Sequence, residues 1–276
     1  MSPEQLRFLV ARGWTVSSHS HSHPPTNQEG IDLDMEVRIS REELAKALGA
    51  PVRLFAYWNN LAIADRILPV AQETGYLGIL SIGNPFNDDA YDVWDIKRGT
   101  MGRDLDMWLR EPTQLMYHHT VDAFPGHLTR ENTRGKWLVD ITHIVAERLP
   151  AANSDRLWNR CSTPAILDAR LREVSELWPS DELWATVPED VIEYTLLRRA
   201  ATVATRNLRS DSAECTVKLE PLPSGIQSTE LTFKATGAWS DLSVNDGAVS
   251  VHRKDDAFLW TMPVHDGDRF TIAGGR

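Results

Sequence analysis

Three imidazoles alternate with serines in the run Gly13-Trp14-Thr15-Val16-Ser17-Ser18-His19-Ser20-His21-Ser22-His23-Pro24. Histidine is the commonest neutral ligand for zinc and related divalent ions, because imidazole keeps a nitrogen lone pair near neutral pH. Residues 14–17 read as a brief strand, so His19, His21 and His23 follow its end and can meet one cation if the backbone keeps them on one side. A cation so held would lower the pKa of a bound water and support hydrolysis. A plainer alternative stands beside this one: a polar loop that is rich in histidine and binds metal only weakly. His118, His119, His127 and His143 lie further on. His143 ends the strand-like run Trp137-Leu138-Val139-Asp140-Ile141-Thr142, which points its tip towards a cleft, although a lone histidine at a strand end is more often structural.

The elements that must carry these residues alternate. Residues 3–12 form a helix with Leu6, Leu9 and Val10 on one face and Gly13 as its stop. Leu33, Val37, Leu44 and Leu48 recur at helical spacing over 31–48, up to Gly49. A strand follows at 54–57, a helix at 61–73 ending at Gly75, and a strand at 77–81. A polar loop over 83–91 leads to a strand at 94–99, a helix at 103–110 and a less regular stretch over 111–135. After the strand at 137–143 come a helix at 164–177, a strand at 183–186 and a helix from Pro188 to about 206. Strand and helix in alternation predict a parallel α/β arrangement. Beyond about 210 the segments Cys215–Leu219, Leu231–Lys234 and Ala248–Val251 alternate apolar with polar residues between turn-rich spacers, which predicts a small antiparallel β unit. The expected division is therefore 1–208 and 209–276.

Composition narrows the function. A chain of 276 residues holds one large domain or two smaller ones, and 42% hydrophobic with 25% charged residues is ordinary for a globular protein. The net charge of −10 argues against nucleic acid or an anionic membrane as partner and favours a neutral or cationic substrate. No run approaches the roughly 18–20 apolar residues of a membrane span, and the start MSPEQLRFLVARGW is too short and polar for a secretory signal. Cys161 and Cys215 are far apart and not at zinc-ligand spacing, so one disulfide or two free thiols both remain open. Ten tryptophans are a high count. Tryptophan stacks well on sugar faces, but most of the ten belong to cores.

The helix running into Gly13-Trp14, the short strand and then His19-Ser20-His21-Ser22-His23-Pro24 resemble the second motif of the polysaccharide deacetylases, the NodB-homology or carbohydrate esterase family 4 domain. The helix with Glu36, Ser40, Arg41 and Leu44, followed by Gly49-Ala50-Pro51-Val52-Arg53-Leu54-Phe55-Ala56-Tyr57, resembles the approach to that family's third motif. Here Trp58-Asn59-Asn60 replaces the usual proline and tyrosine. Gly75-Tyr76 and the strand Tyr91-Asp92-Val93-Trp94-Asp95-Ile96-Lys97-Arg98 are similar to the family's next elements, and Trp137 to His143 resembles its last motif. The resemblance runs from about residue 3 to 205 and is concentrated in 13–57.

That resemblance implies a (β/α) barrel of the deacetylase type, followed by a β-sandwich-like domain. It implies His19 and His23 as ligands of a divalent metal, zinc first, with His21 at a variable position. It implies His143 as the acid that protonates the leaving amine, and Asn59 as the source of a backbone N–H for the oxyanion. Tyr57, Trp94 and Arg98 become substrate-side candidates, and an N-acetylated carbohydrate becomes the substrate. A cell-envelope or extracellular setting would follow, while the residues themselves leave the compartment open, the cytoplasm included.

One part of the pattern is missing. The family's Asp-Asp strand lies upstream of the paired histidines and supplies a metal ligand and the general base, yet only a short helix precedes His19. Asp88-Asp89 and Asp255-Asp256 read as solvated turns. The expectation is an incomplete barrel lacking its first strands, completed by a missing N-terminal segment or an oligomeric partner, or else a degenerate relative. Two histidines alone make an under-coordinated site, and losing a general base costs roughly 10²–10⁴ in rate. A non-catalytic carbohydrate-binding or scaffolding protein is therefore the competing expectation. An amidohydrolase-type enzyme is a weaker third, because few further histidine and aspartate ligands stand at later strand ends.

Overall fold

In the computed structural model of the chain, the described residues are 1–25, 28–58, 63–100, 128–142, 144–145, 147, 161–209, 211–237 and 239–275. They divide into two compact units, Met1–Ala185 and Thr186–Arg276. The architecture is mixed, with a parallel sheet in the first unit and separate antiparallel sheets in the second.

The first unit opens with helix α1 (Pro3–Val10), which Ser2 caps in a reciprocal box with Gln5. The long helix expected over 31–48 begins as a π-helical turn at Asp34–Ile39 and continues as α2 (Ser40–Leu48). Strand β1 (Leu54–Ala56), helix α3 (Ala64–Thr74) and strand β2 (Gly78–Ile82) follow. Gly49 at φ 70° and Gly75 at φ 84° end α2 and α3 in the left-handed region, the conformation that made glycine readable there as a stop.

Strands β3 (Phe86–Asn87), β4 (Ile96–Thr100), β5 (Trp137–Leu138) and β6 (Asp140–Ile141) complete the local sheets. The parallel sheet runs β1-β2-β4-β6. Strand β1 is buried throughout and β2 nearly so, as their apolar sequences require, whereas β4 carries Lys97 and Arg98. The single strand expected over 137–143 breaks at Val139. Its first half pairs antiparallel with β3 and its second half pairs parallel with β4.

The strand expected at 14–17 shrinks to one parallel bridge between Ser18 and Phe55. Ser18 N–H donates to Leu54 O at 3.0 Å, and Ala56 N–H donates to Ser18 O at 2.7 Å. Residues before Ser18 find no ladder partner among the described residues, and Trp14 is left 64% exposed. The core beneath comprises Val37, Val52, Phe55, Trp58, Ile67 and Ile79 with their neighbours. Phe55 makes edge contacts with the rings of Tyr57, Trp58 and Tyr76. Arg41 ties this core together by donating to Val52 O, Thr74 O and Gly75 O.

The short helix α4 (Arg130–Thr133), strands β7 (Ile144–Val145) and β8 (Cys161–Ser162) and helix α5 (Pro164–Leu177) also belong to this unit. The helix expected at 103–110 lies outside the described residues. Residues 183–186 form no strand.

The second unit starts with α6 (Pro188–Ala200) and goes directly into β9 (Ala201–Arg209). The helix expected to reach 206 stops six residues early. Thr202, Val203 and Thr205 are β-branched and favour extended backbone, and β10 (Ser212–Leu219) supplies an antiparallel partner along their whole length. Strands β11 (Glu230–Thr236), β12 (Ser243–Val244), β13 (His252–Lys254), β14 (Ala257–Pro263) and β15 (Arg269–Ala273) complete two antiparallel sheets, ordered β12-β15-β10-β9 and β11-β14-β13. Both contribute to one core, in which Cys215, Val217 and Phe270 meet Leu231 and Trp260, and Leu197 of α6 joins them. The contacts therefore group α6 with the sheets, where the sequence reading drew the line at 209. Cys215 is a free, buried thiol. Among the described residues, no helix is long and apolar enough to cross a membrane.

Candidate functional site

His19 follows the bridge residue Ser18, so it leaves the sheet at the C-terminal end of a parallel strand position, where open α/β sheets place ligands. Its Nδ1 lies 3.0 Å from Ala56 O. A carbonyl only accepts, so Nδ1 carries the proton and Nε2 keeps its lone pair. The rings of His19 and His23 meet edge to face, with centroids 5.2 Å apart and planes at 67°. The two imidazoles named from their spacing are thus brought together. His21 turns away and places Nε2 3.1 Å from Glu43 Oε2.

The loop holding these rings is tied at several points. Glu36, 5% exposed in the π-helical turn, accepts from His21 N–H at 2.8 Å and Ser22 N–H at 2.9 Å on Oε2. Its Oε1 accepts from the Ser22 hydroxyl at 2.5 Å. Ser20 Oγ accepts from His23 N–H at 3.0 Å. Ser20 at φ 70° and His23 at φ 54° both occupy the left-handed region. At the far end, the fully buried Trp58 donates its indole N–H to Pro24 O at 2.7 Å.

Electrostatics favour the ligand form of His19. The residue keeps an exposed edge, but its crowded surroundings withhold water and push its pKa down; the Ala56 bond opposes that, and Arg98 and His23 add to it. The balance favours the neutral ring. Burial alone would raise the Glu36 pKa, but the bonds from Ser22 and His21 outweigh it and hold the carboxylate below its ordinary range.

The remaining candidates are placed differently. Arg98 is buried on β4, with Nε donating to Ser81 O at 3.1 Å and Nη2 to Tyr57 O at 2.9 Å. Burial lowers its pKa to about 10. Tyr57 is a core side chain whose hydroxyl pKa is raised to about 12, by burial first and then by Asp95, Asp65 and Asp92. Trp94 is half-buried against the same core. Asn59 and His143 lie outside the described residues, as do His118, His119 and His127. Asp88 accepts from Ala90 N–H in a local turn, as its surroundings in the sequence suggest.

Sequence reasoning missed the roles of Glu36 and Trp58. The signal for Glu36 was present: it sits one turn from Leu33 and Ser40, beside the apolar stripe of a helix. A charged residue there is either misplaced or bonded. As a metal site, the arrangement offers two imidazole side chains, a ligand type that fits zinc chemistry. Among the described residues, no group of three histidine, cysteine or acidic side chains could hold an ion.

Residues 1–79 match the polysaccharide deacetylase family. The matched segment spans the paired histidines, the π-helical turn with Glu36, and strand β1. No curated protein matches the chain. Among solved structures, an alpha-amylase from H.orenii is 11% identical with a TM-score of 0.23, the alignment covering 99% of this chain and 63% of that one. The chain thus spans less than two thirds of that structure's length, and a likeness so slight carries no argument.

Proposed function

We propose that this protein hydrolyses acetyl groups from an N-acetylated carbohydrate with the help of a divalent metal, zinc first, held by His19 and His23. The observation that carries the reading is the convergence of these two imidazoles, with the His19 Nε2 lone pair kept by the Ala56 bond at Nδ1, inside a segment that matches a deacetylase family. When bound, such an ion lowers the pKa of water and polarises a carbonyl oxygen. His19 and His23 would fill two of its positions, and the others would fall to water or to residues outside the described set. His143 would protonate the leaving amine and the Asn59 backbone N–H would stabilise the oxyanion. Trp94, half-buried, would line the substrate side, and the buried Arg98 and Tyr57 would support it from the core. We also propose a deacetylase-type barrel as the fold of the first unit and a small sandwich as the fold of the second.

A second reading has its own support. The lack of a three-ligand cluster among the described residues favours a non-catalytic carbohydrate-binding relative. Calorimetric titration with zinc and acetate release from an N-acetylated chito-oligosaccharide separate the two. The first reading expects one zinc per chain, loss of binding in His19→Ala and His23→Ala, and acetate release in the presence of zinc. Saccharide binding without acetate release under any added metal would establish the second. Unchanged zinc stoichiometry in both alanine variants would sink the metal assignment.

A further inference from the structure

We propose that Glu36 is a positioning residue whose buried carboxylate sets the spacing of the His19 and His23 rings, an inference that rests on the metal-site reading above. All three donors that reach this carboxylate come from His21 and Ser22, the middle of the span between the two candidate ligands. Two consecutive N–H groups aimed at one carboxylate require a concave backbone. The chain achieves that curvature with left-handed conformations at Ser20 and His23, on either side of the anchored pair. Each such conformation costs a non-glycine residue roughly 1–3 kcal/mol, and it persists only where bonds like these offset it. Charge-assisted hydrogen bonds to an ionised carboxylate are about twice as strong as neutral ones.

The same helical turn also grips the chain ahead of His19. Ser40 Oγ lies 2.8 Å from Glu36 O and 3.1 Å from Val37 O, and the Tyr76 hydroxyl donates to Val37 O at 3.0 Å. These side chains satisfy carbonyls that the wider π turn exposes. Ser40 Oγ also meets Ser18 Oγ at 2.8 Å, and with the Ser40 proton directed to the helix, Ser18 is the donor. Ser40 at the start of α2 therefore holds the chain at Ser18, and Glu36 in the turn before it holds 21–22, bracketing His19. Without the Glu36 acceptor oxygens, Ser20 and His23 lose the bonds that offset their conformations. The loop then relaxes and the two rings part.

Glu36→Gln keeps the side-chain size but removes the negative charge and one of the two acceptor oxygens that the N–H and O–H donors share. The test compares this variant with the unsubstituted protein in two ways. In the metal-free proteins, NMR follows the cross-peak between the His19 and His23 ring protons and the amide protection of β1 and β2. Calorimetry follows the affinity for zinc alone. The expected result is a cross-peak present in the unsubstituted protein and lost in Glu36→Gln, a zinc affinity weakened about 10–100-fold, and unchanged protection in β1 and β2. Retention of both the cross-peak and the affinity in the variant would overturn the proposal, as would absence of the cross-peak from the unsubstituted protein. If the unsubstituted protein binds no zinc yet only the variant loses the cross-peak, the positioning role stands and the metal reading falls. Should Glu36→Gln fail to fold, Ser22→Ala removes one donor from the exposed side. It is then expected to weaken zinc binding about 3–10-fold, the value of one hydrogen bond; wild-type affinity with the cross-peak intact would refute the role.

Discussion

The histidine loop and the aromatic centre of the second unit are both well ordered by their neighbours, but by opposite means. Around Glu36, Ser18, Ser40 and Trp58, order comes from polar groups that each find a partner, with residues held in left-handed backbone. In the second unit it comes from ring packing: Phe233 stacks on Trp260 at 5.6 Å, and Phe270 meets both edge-on at 5.0 and 6.0 Å. Hydrogen bonds fix direction, whereas apolar packing fixes volume. A site that must aim two lone pairs needs the first kind of order, and a supporting sheet pair needs only the second.

The largest effect expected from breaking this contrast is in the aromatic centre. Trp260→Ala should cost about 3–5 kcal/mol, as buried aromatic truncations do, in the chemical unfolding of the second unit. Zinc affinity measured below that transition should not change; a parallel loss of zinc binding would mean that the contrast is wrong.

A matched pair of milder changes sharpens it. Trp58 and Trp260 are both buried, but the Trp58 indole N–H is bonded to Pro24 O while that of Trp260 has no partner among the described residues. Replacement by Phe removes the same atoms from each. Trp58→Phe should cost about 0.5–1.5 kcal/mol more than Trp260→Phe, because it removes a formed hydrogen bond as well as the same atoms, and it alone should weaken zinc binding. Equal costs in denaturant titrations would show that the polar tie at Pro24 contributes nothing.

The smallest expected effect is the response to acid. The folded pKa of Glu36 lies below its ordinary value, so the carboxylate contributes stability that is complete above the unfolded pKa and lost as pH falls through the folded one. Protection of the His21 and Ser22 amides, taken relative to their intrinsic exchange at each pH, should persist at mildly acidic pH and fall below the ordinary glutamate range. The core amides of β10 and β14, packed around apolar rings, should hold through the same window. Loop amides that become better protected on acidification would contradict the assignment.

Much of the frame was legible because it depends on local chemistry. Gly49 and Gly75 mark helix ends by the one conformation they alone adopt cheaply, and the apolar runs at 54–56 and 78–82 could only be covered strands. Less legible was the end of α6. Helical and extended readings compete over 201–206, and it was the antiparallel partner β10 that decided for β9. The strand at 14–17 failed for the converse reason, since a good extended sequence with a neighbour only at Ser18 gains one bridge.

By itself, the sequence determined that two imidazoles four residues apart would leave a parallel strand position together, because the type and spacing of ligands are properties of the chain. Only the tertiary structure decided that they converge. Their convergence depends on Ala56 O selecting the His19 tautomer, on a carboxylate from 13 residues beyond His23 closing on the loop, and on an indole N–H holding Pro24. Each of these partners is distant along the chain. A hydrogen bond's direction exists only once both ends are in place.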